Sequence, residues 1–330
     1  VTPLATPGDT ILDDEYNGFA STSSNNINAI WGVGSGNKGW GQSNTISTVS
    51  AGNTVTGAQW NTLTARLVSA AAHQGSSINN SATSLSAGDS IAIINNLGTD
   101  ITTITNNRYN VDSDHLDTTS NPNSVNRSFT SVWDTSVIHE VKFTFASSDA
   151  ARYFFNGGGE ITHVWNLSGH TSDDKANEWE DLFNTKAATF KLTAVTDSLS
   201  GSGSADTNVN EGFWNSNNDT SYVVVQKMFA DTSPYTTNFC QWEIKTTGTA
   251  GSNGGKGEVL TIKATASDAA ADSLDEGQAP QDAFDSAITG LDEIDGTLTS
   301  SWVFKKPNTD EWNNDSIGTI TAAEVSQSQT

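Results

Sequence analysis

Residues 141–161 read VKFTFASSDAARYFFNGGGEI. Apolar residues alternate through VKFTF, the pattern of a half-buried strand, and the chain then runs straight into a short, aromatic-rich turn of helix. Three consecutive glycines stop that turn before a second strand begins. Arg152, Tyr153, Phe154 and Phe155 place a long cation and three large rings on a segment too short to bury them against itself. Something else must pack on them, so this junction anchors the fold and carries no evident chemistry. The glycine triplet 157–159 follows a helix, where carbonyls point outward, and reads as a left-handed cap and not as an anion cradle.

The chain has 330 residues, enough for a sizeable core. Acids outnumber bases 38 to 15, a formal charge of −23, which argues against nucleic acid as a partner because backbone binding needs Lys and Arg to release counterions. The single cysteine, Cys240, excludes an intrachain disulfide and any cysteine-cluster metal site. No apolar run approaches the roughly 20 residues of a membrane span, and the opening VTPLATPGDT lacks the basic and apolar regions of a secretory signal, so neither a membrane nor export is expected. Ten tryptophans are many for so polar a chain. They read first as core or interface anchors, then as residues buried against neighbouring subunits or stacked on sugars.

Helical periodicity governs the first third. Tyr16, Phe19, Ile27, Ile30 and Trp31 recur at spacings of three and four up to Gly32. Thr56 and Gln59 fit a capping box ahead of a second helix with Trp60, Leu63 and Leu67 on its apolar face, ending near Gln74 and Gly75. Ile91, Ile94, Leu97, Ile101 and Ile104 mark a third, ending near Arg108. The stripes are narrow and the other faces rich in Ala, Asn and Thr, so this unit is expected to lean on something larger. Between the first two helices lies a Gly/Ser-rich connector around Trp40. Gly34, Gly36 and Gly39 within it match the dinucleotide fingerprint by chance only, since no strand precedes and no helix follows.

From Phe129 the period changes to two. Strands are expected over 137–145, 160–167, 189–195, 222–229, 239–245, 258–264 and 297–304, with Gly/Ser/Asn-rich connections and a helix over 172–184 whose apolar side is Trp179, Leu182 and Phe183. The expected fold is α+β: an N-terminal helical unit followed by an antiparallel β-sandwich with a helical insertion. The corresponding divisions are an arm at 1–10, a helical attachment or oligomerisation unit at 11–108, a linker or surface loop at 109–126, and the sandwich at 127–330. Residues 268–295 carry nine acids and no base, and read as a solvated excursion between two strands.

Candidate chemistry is thin. His163 and His170 are seven residues apart, a spacing that fits neither a HExxH helix nor a compact zinc signature. His73 ends a helix, where a cation suits the dipole. Cys240, between Phe239 and Gln241 and close to Trp242, reads as a buried small residue. The acidic stretch could supply oxygen ligands to calcium, but LDEIDGT lacks the alternation of an EF-hand loop. Carboxylate pairs for glycoside hydrolysis meet in space and leave no motif to find. No cofactor is expected, and the chain reads as a non-enzyme.

Two segments carry a family resemblance. DDEYNGFASTSSNNINAIWGVGSGNKGWGQSNTISTVSAGNTVTGAQWNTLTARLVSAAAHQG resembles the start of virion structural proteins from tailed phages of marine bacteria and cyanobacteria: a YN-containing helix, a G-x-GSG connector, a YGQ-like step, an AG-x-x-[IV]T turn and a QW-x-x-L helix ending in HQ. Trp40 stands where that pattern has Tyr. The same family carries a strand followed by ARYFFN-GG and a later DGTLTS strand, here 295–300. The resemblance covers most of the chain and brings no catalytic residues. It implies a virion component of tail or fibre type, assembled from copies of itself and other virion proteins. A tail-tube, sheath or capsid-decoration role is a further alternative within that class. The residues themselves mark Arg152, Tyr153, Phe154, Phe155, Trp31, Trp40 and Trp60 as structural or interface anchors. The alternative is a host-receptor adhesin binding surface glycan through Trp165, Trp214 or Trp312.

Overall fold

The computed structural model describes residues 13–20, 26–89, 94–117, 124–172, 174–216, 221–270 and 293–330. The expected arm at 1–10, most of the acidic excursion and the Ile91 start of the third helix lie outside these residues.

Helices α1 (Asp13–Ala20), α2 (Ile27–Trp31), α3 (Gly57–Gln74) and α4 (Ile94–Asn106) occupy the first third. The periodicity from Tyr16 to Trp31 therefore belongs to two helices, because Asn26 caps the second: its side chain accepts from the Ala29 N–H at 3.1 Å. Helix α3 has the anticipated capping box, Thr56 Oγ1 accepting from the Gln59 N–H while Gln59 Oε1 accepts from the Thr56 N–H. It stops at Gly75, which is left-handed at φ 65°. The polar faces are satisfied locally: both carboxylate oxygens of Asp100 on α4 accept from backbone and side-chain amides of Asn79 and Asn80 at 2.6–2.9 Å.

The rest is two antiparallel sheets packed face to face. In the first, β1 (Leu116–Asp117) and β2 (Ser124–Phe129) both pair with β11 (Thr297–Pro307), followed by β4 (Glu160–Ser168), β5 (Thr189–Leu192) and β6 (Asp197–Leu199). The second runs β12 (Thr321–Gln329), β3 (Ser136–Thr144), β10 (Val259–Ser267), β9 (Phe239–Thr247), β8 (Val223–Phe229), β7 (Thr207–Asn208). Period-two burial is clearest in β9, where Cys240, Trp242, Ile244 and Thr246 point inward, and in β11, where Leu298, Ser300, Trp302 and Phe304 do. Phe190 of β5 stacks on Trp242 of β9 at 5.3 Å between centroids, and Phe143 of β3 meets Phe304 of β11 edge-on at 5.9 Å. Helix α5 (Ser148–Asn156) separates β3 from β4. Helix α6 (Asp174–Glu180) follows β4 and runs into a π-helical stretch, Asp181–Ala187, burying Trp179, Leu182 and Phe183 as expected.

Two stretches form strands that the pattern of the sequence does not announce. Among its described residues the stretch at 109–126, expected as a linker or surface loop, contains a 3₁₀ turn, Ser113–His115, whose Asp114 and His115 carbonyls accept from Asn308, and the strand β1 and the start of β2, both paired with β11. SVNRSF is too polar to announce a strand, and its register comes from six paired positions on β11. Strand β12 was likewise silent in sequence: TAAEVSQSQ is largely exposed along its length, with a bulge between Glu324 and Ser326, so no face is apolar enough to alternate. The helices and both sheets share one continuous hydrophobic core.

Replacing Thr56 by Ala removes the reciprocal cap of α3 and is expected to cost about 1 kcal/mol in urea unfolding, with helix content unchanged at low denaturant.

Candidate functional site

The feature with the most convergent polar groups is the junction at α5. Ser147 caps the helix, accepting from Ala150 N–H at 3.0 Å. One turn on, the Arg152 guanidinium is wholly buried. It donates to the carbonyls of Val33 at 2.8 Å, Gly36 at 3.3 Å and Lys38 at 2.5 Å, and to Asp149 Oδ1 at 3.0 Å. Asn156 donates to the carbonyls of Gly36 and Gly39 at 3.2 Å, and the Trp40 indole donates to the Asn156 carbonyl at 2.9 Å. The glycine-rich connector thus turns its carbonyls inward around a cation. That polarity is opposite to a phosphate cradle, which presents N–H groups. Asn253 closes the far side, donating to Asp149 Oδ2 at 2.9 Å and accepting from Gly36 N–H at 2.7 Å.

Tyr153, Phe154 and Phe155 are buried, in two directions. Tyr153 lies against the helical third: a Cβ on Gly41 would sit 2.4 Å from its ring. Phe154 and Phe155 face the sheets, packing on Phe145, and Phe155 stacks on Phe213 at 4.1 Å. The glycine triplet is needed chiefly for space. Gly157 has an ordinary φ of −82°, and a Cβ there would meet the Trp312 ring at 2.7 Å, while only Gly158 is left-handed, at φ 91°. The left-handed cap expected of the triplet is therefore one residue of three.

Beside the junction, His73 is buried in an aromatic box. Its ring centroid is 4.7 Å from Trp40, 5.0 Å from Trp312 and 6.1 Å from His115, and Nε2 donates to the Gly157 carbonyl at 2.8 Å. Burial, reinforced by His115, pulls its pKa down to about 4. The dipole-favoured cation expected at this helix end is instead a neutral imidazole.

Between the sheets runs a chain of hydrogen bonds. The Trp242 indole can only donate, and reaches His163 Nδ1 at 2.9 Å, so the His163 proton sits on Nε2 and is donated to Ser300 Oγ at 2.7 Å. The Ser300 hydroxyl donates to His139 Nδ1 at 2.6 Å, leaving the His139 proton on Nε2, 3.5 Å from Glu324 on β12. His163, His139 and Ser300 are all buried. Desolvation holds His163 well below its ordinary pKa, with His139 adding to the effect. It brings His139 to about 4, helped by Arg127. No sequence spacing connects these four residues, since they meet only when β3, β4, β9 and β11 are in register.

The remaining candidates are placed as follows. Trp31 is buried, donates to the Ser43 carbonyl at 2.9 Å and carries Arg66 over its ring at 5.2 Å; Trp60 is buried. Trp165 and Trp312 are 1% and 5% exposed, so neither presents a face to a sugar, which corrects two of the three glycan candidates. Trp214 is half-buried and its indole donates to Asn156 Oδ1 at 3.1 Å. The anchors at Trp31, Trp40, Trp60 and 152–155 are all consumed within the chain. Cys240 is buried, which pushes its thiol up and away from thiolate chemistry. His170 lies 3.2 Å from Glu180, away from His163. Of the acidic stretch, Asp268 pairs with Lys175 at 2.7 Å, Asp295 accepts from Thr171 at 2.6 and 2.7 Å, and 271–292 lie outside the described residues. Among the described residues no group of three or more His, Cys, Asp or Glu is placed to hold a metal, and no helix is long and apolar enough to cross a membrane.

Two outcomes follow from these contacts. Arg152→Lys keeps the charge but replaces a planar fork by one ammonium, and is expected to lose roughly 2–4 kcal/mol of stability by leaving buried carbonyls unpaired. Because His73, His139 and His163 have folded-state pKa values below the unfolded value, the unfolded chain takes up protons first as pH falls. Stability should be complete above about pH 6.5 and decline toward pH 4, by up to about 1.4 kcal/mol per pH unit per histidine. Urea unfolding between roughly pH 7 and pH 5, above the carboxylate range, measures the slope. Comparison with known family models, curated proteins and solved structures returned no match, so a functional reading rests on the contacts themselves.

Proposed function

We propose that the chain is a non-enzymatic structural protein of a phage particle, a tail or fibre component that assembles from copies of itself and other virion proteins. In this reading the first-third helices form the attachment and multimerising unit, and the sandwich, with α6 as its helical insertion, projects from it or forms a wall. The observation that carries the reading is how the reactive side chains are used. Arg152, His73, His139, His163, Ser300 and Cys240 are buried, and each of the first five makes at least one hydrogen bond to a segment distant in sequence. Groups so placed confer rigidity on a load-bearing subunit. The resemblance of the N-terminal pattern and of ARYFFN-GG to virion proteins supports the same class, and the acidic surface disfavours nucleic acid.

Quantitative mass spectrometry of purified particles of the encoding phage, with labelling to locate the chain, is the test. Many copies per particle at one structural location are expected. Trace amounts, or release of shortened chains from host polysaccharide by the purified protein, would overturn the reading.

A further inference from the structure

Self-assembly needs a surface, and the aromatic anchors are already buried within one chain. We propose that the outer face of the second sheet is that surface, and that its occupant is the acidic surface of a second copy. This inference rests on the structural reading above.

The argument begins with where lysines find partners. In a chain with a surplus of carboxylates, Lys175, Lys186, Lys191, Lys263, Lys305 and Lys306 each lie within 4.0 Å of at least one. Lys142, Lys227, Lys245 and Lys256 have no carboxylate within that distance among the described residues, and Lys256 donates instead to the Ser216 carbonyl at 3.1 Å. The other three project from one face. Lys142 of β3 and Lys245 of β9 flank Thr261 of β10 in register, and Lys227 of β8 sits beside Gln241 of β9, four residues along from Lys245 on the same side. Inward-pointing neighbours, Val141, Met228 and Ile244, are buried, which fixes the lysines on the outside.

Two of these cations, Lys227 and Lys245, rest on rings. The Lys227 ammonium is 3.5 Å from the centroid of Phe239 and 4.4 Å from that of Phe229, and the Lys245 ammonium is 4.1 Å from that of Tyr222. Tyr222 is itself held across the sheet by its hydroxyl donating to Glu140. A ring positions an ammonium without neutralising it, so the charge stays available while part of its ordering cost is already met. The Glu140, Lys263 and Glu243 row crosses the same face and leaves it with four lysines against two glutamates.

A net charge of −23 makes almost any other surface of a second copy complementary to this one. Two copies of the basic face repel, so the contact is face against acidic surface. That is a heterologous contact, the type that closes rings or extends filaments.

Sedimentation velocity of the full chain at about 0.05 M and about 0.5 M salt tests the proposal, because screening at the higher value removes most of a surface charge contact. Wild type should associate in low salt and dissociate in high salt. Lys227→Gln/Lys245→Gln should weaken association about tenfold, whereas Lys191→Gln/Lys306→Gln, with the same change in charge, should leave it unchanged. Melting curves establish that both variants fold, and the salt dependence of wild type needs neither. Equal weakening by both pairs, or association indifferent to salt, overturns this surface while leaving self-assembly standing. A monomer in both salts overturns this surface and self-assembly together.

Discussion

The structure depends on one buried cation. Arg152 sits at zero exposure with its donors directed at three carbonyls of a loop more than a hundred residues earlier and at Asp149 one turn back. Removing a guanidinium from water is costly, and the cost is offset only when the fork is fully bonded. The 33–39 loop, α5 and the 251–256 loop must therefore hold their relative positions, because displacement of any one leaves buried polar groups unpaired. Around that constraint the aromatic contacts fall into place: Tyr153 against Gly41, Trp312 over Gly157, Phe155 on Phe213.

The inter-sheet chain from Trp242 through His163 and Ser300 to His139 does for the sandwich what Arg152 does for the junction. A serine at position 300 is small enough to let two imidazoles meet it, and the indole, which can only donate, sets the direction of every bond downstream. Apolar packing alone tolerates sliding of one sheet over the other. A directional polar chain in a dry interior tolerates much less, because a slipped register strands each member without a partner.

Much of this fold was legible because its strongest signals are local. Alternation in FCQWEIKTT and TLTSSWVFKKP, the Thr56 to Gln59 box and the glycine after Gln74 each reflect interactions within a few residues. The elements that escaped notice, β1, β2, β6, β7 and β12, are short or polar on both faces, and pairing with a neighbour creates them. The tryptophans show the same limit: composition counts ten and cannot say which way a ring points, and burial turned Trp165 and Trp312 from sugar platforms into core. His73 likewise read as a helix-end cation until Trp40 and Trp312 closed over it.

By itself the sequence determined the mixed helix-and-strand class of the fold, the capped ends of the helix from Gly57 to Gln74, the alternation of strands such as Phe239–Thr247 and Thr297–Pro307, and the need for something to cover Arg152 and the three rings behind it. Only the tertiary structure decided what that cover is and which polar groups meet. Periodicity and capping are encoded at separations of two to four residues. The partners of Arg152, His163 and Trp40 lie roughly seventy to more than a hundred residues away, and are selected by close packing and by the cost of leaving a buried donor unpaired.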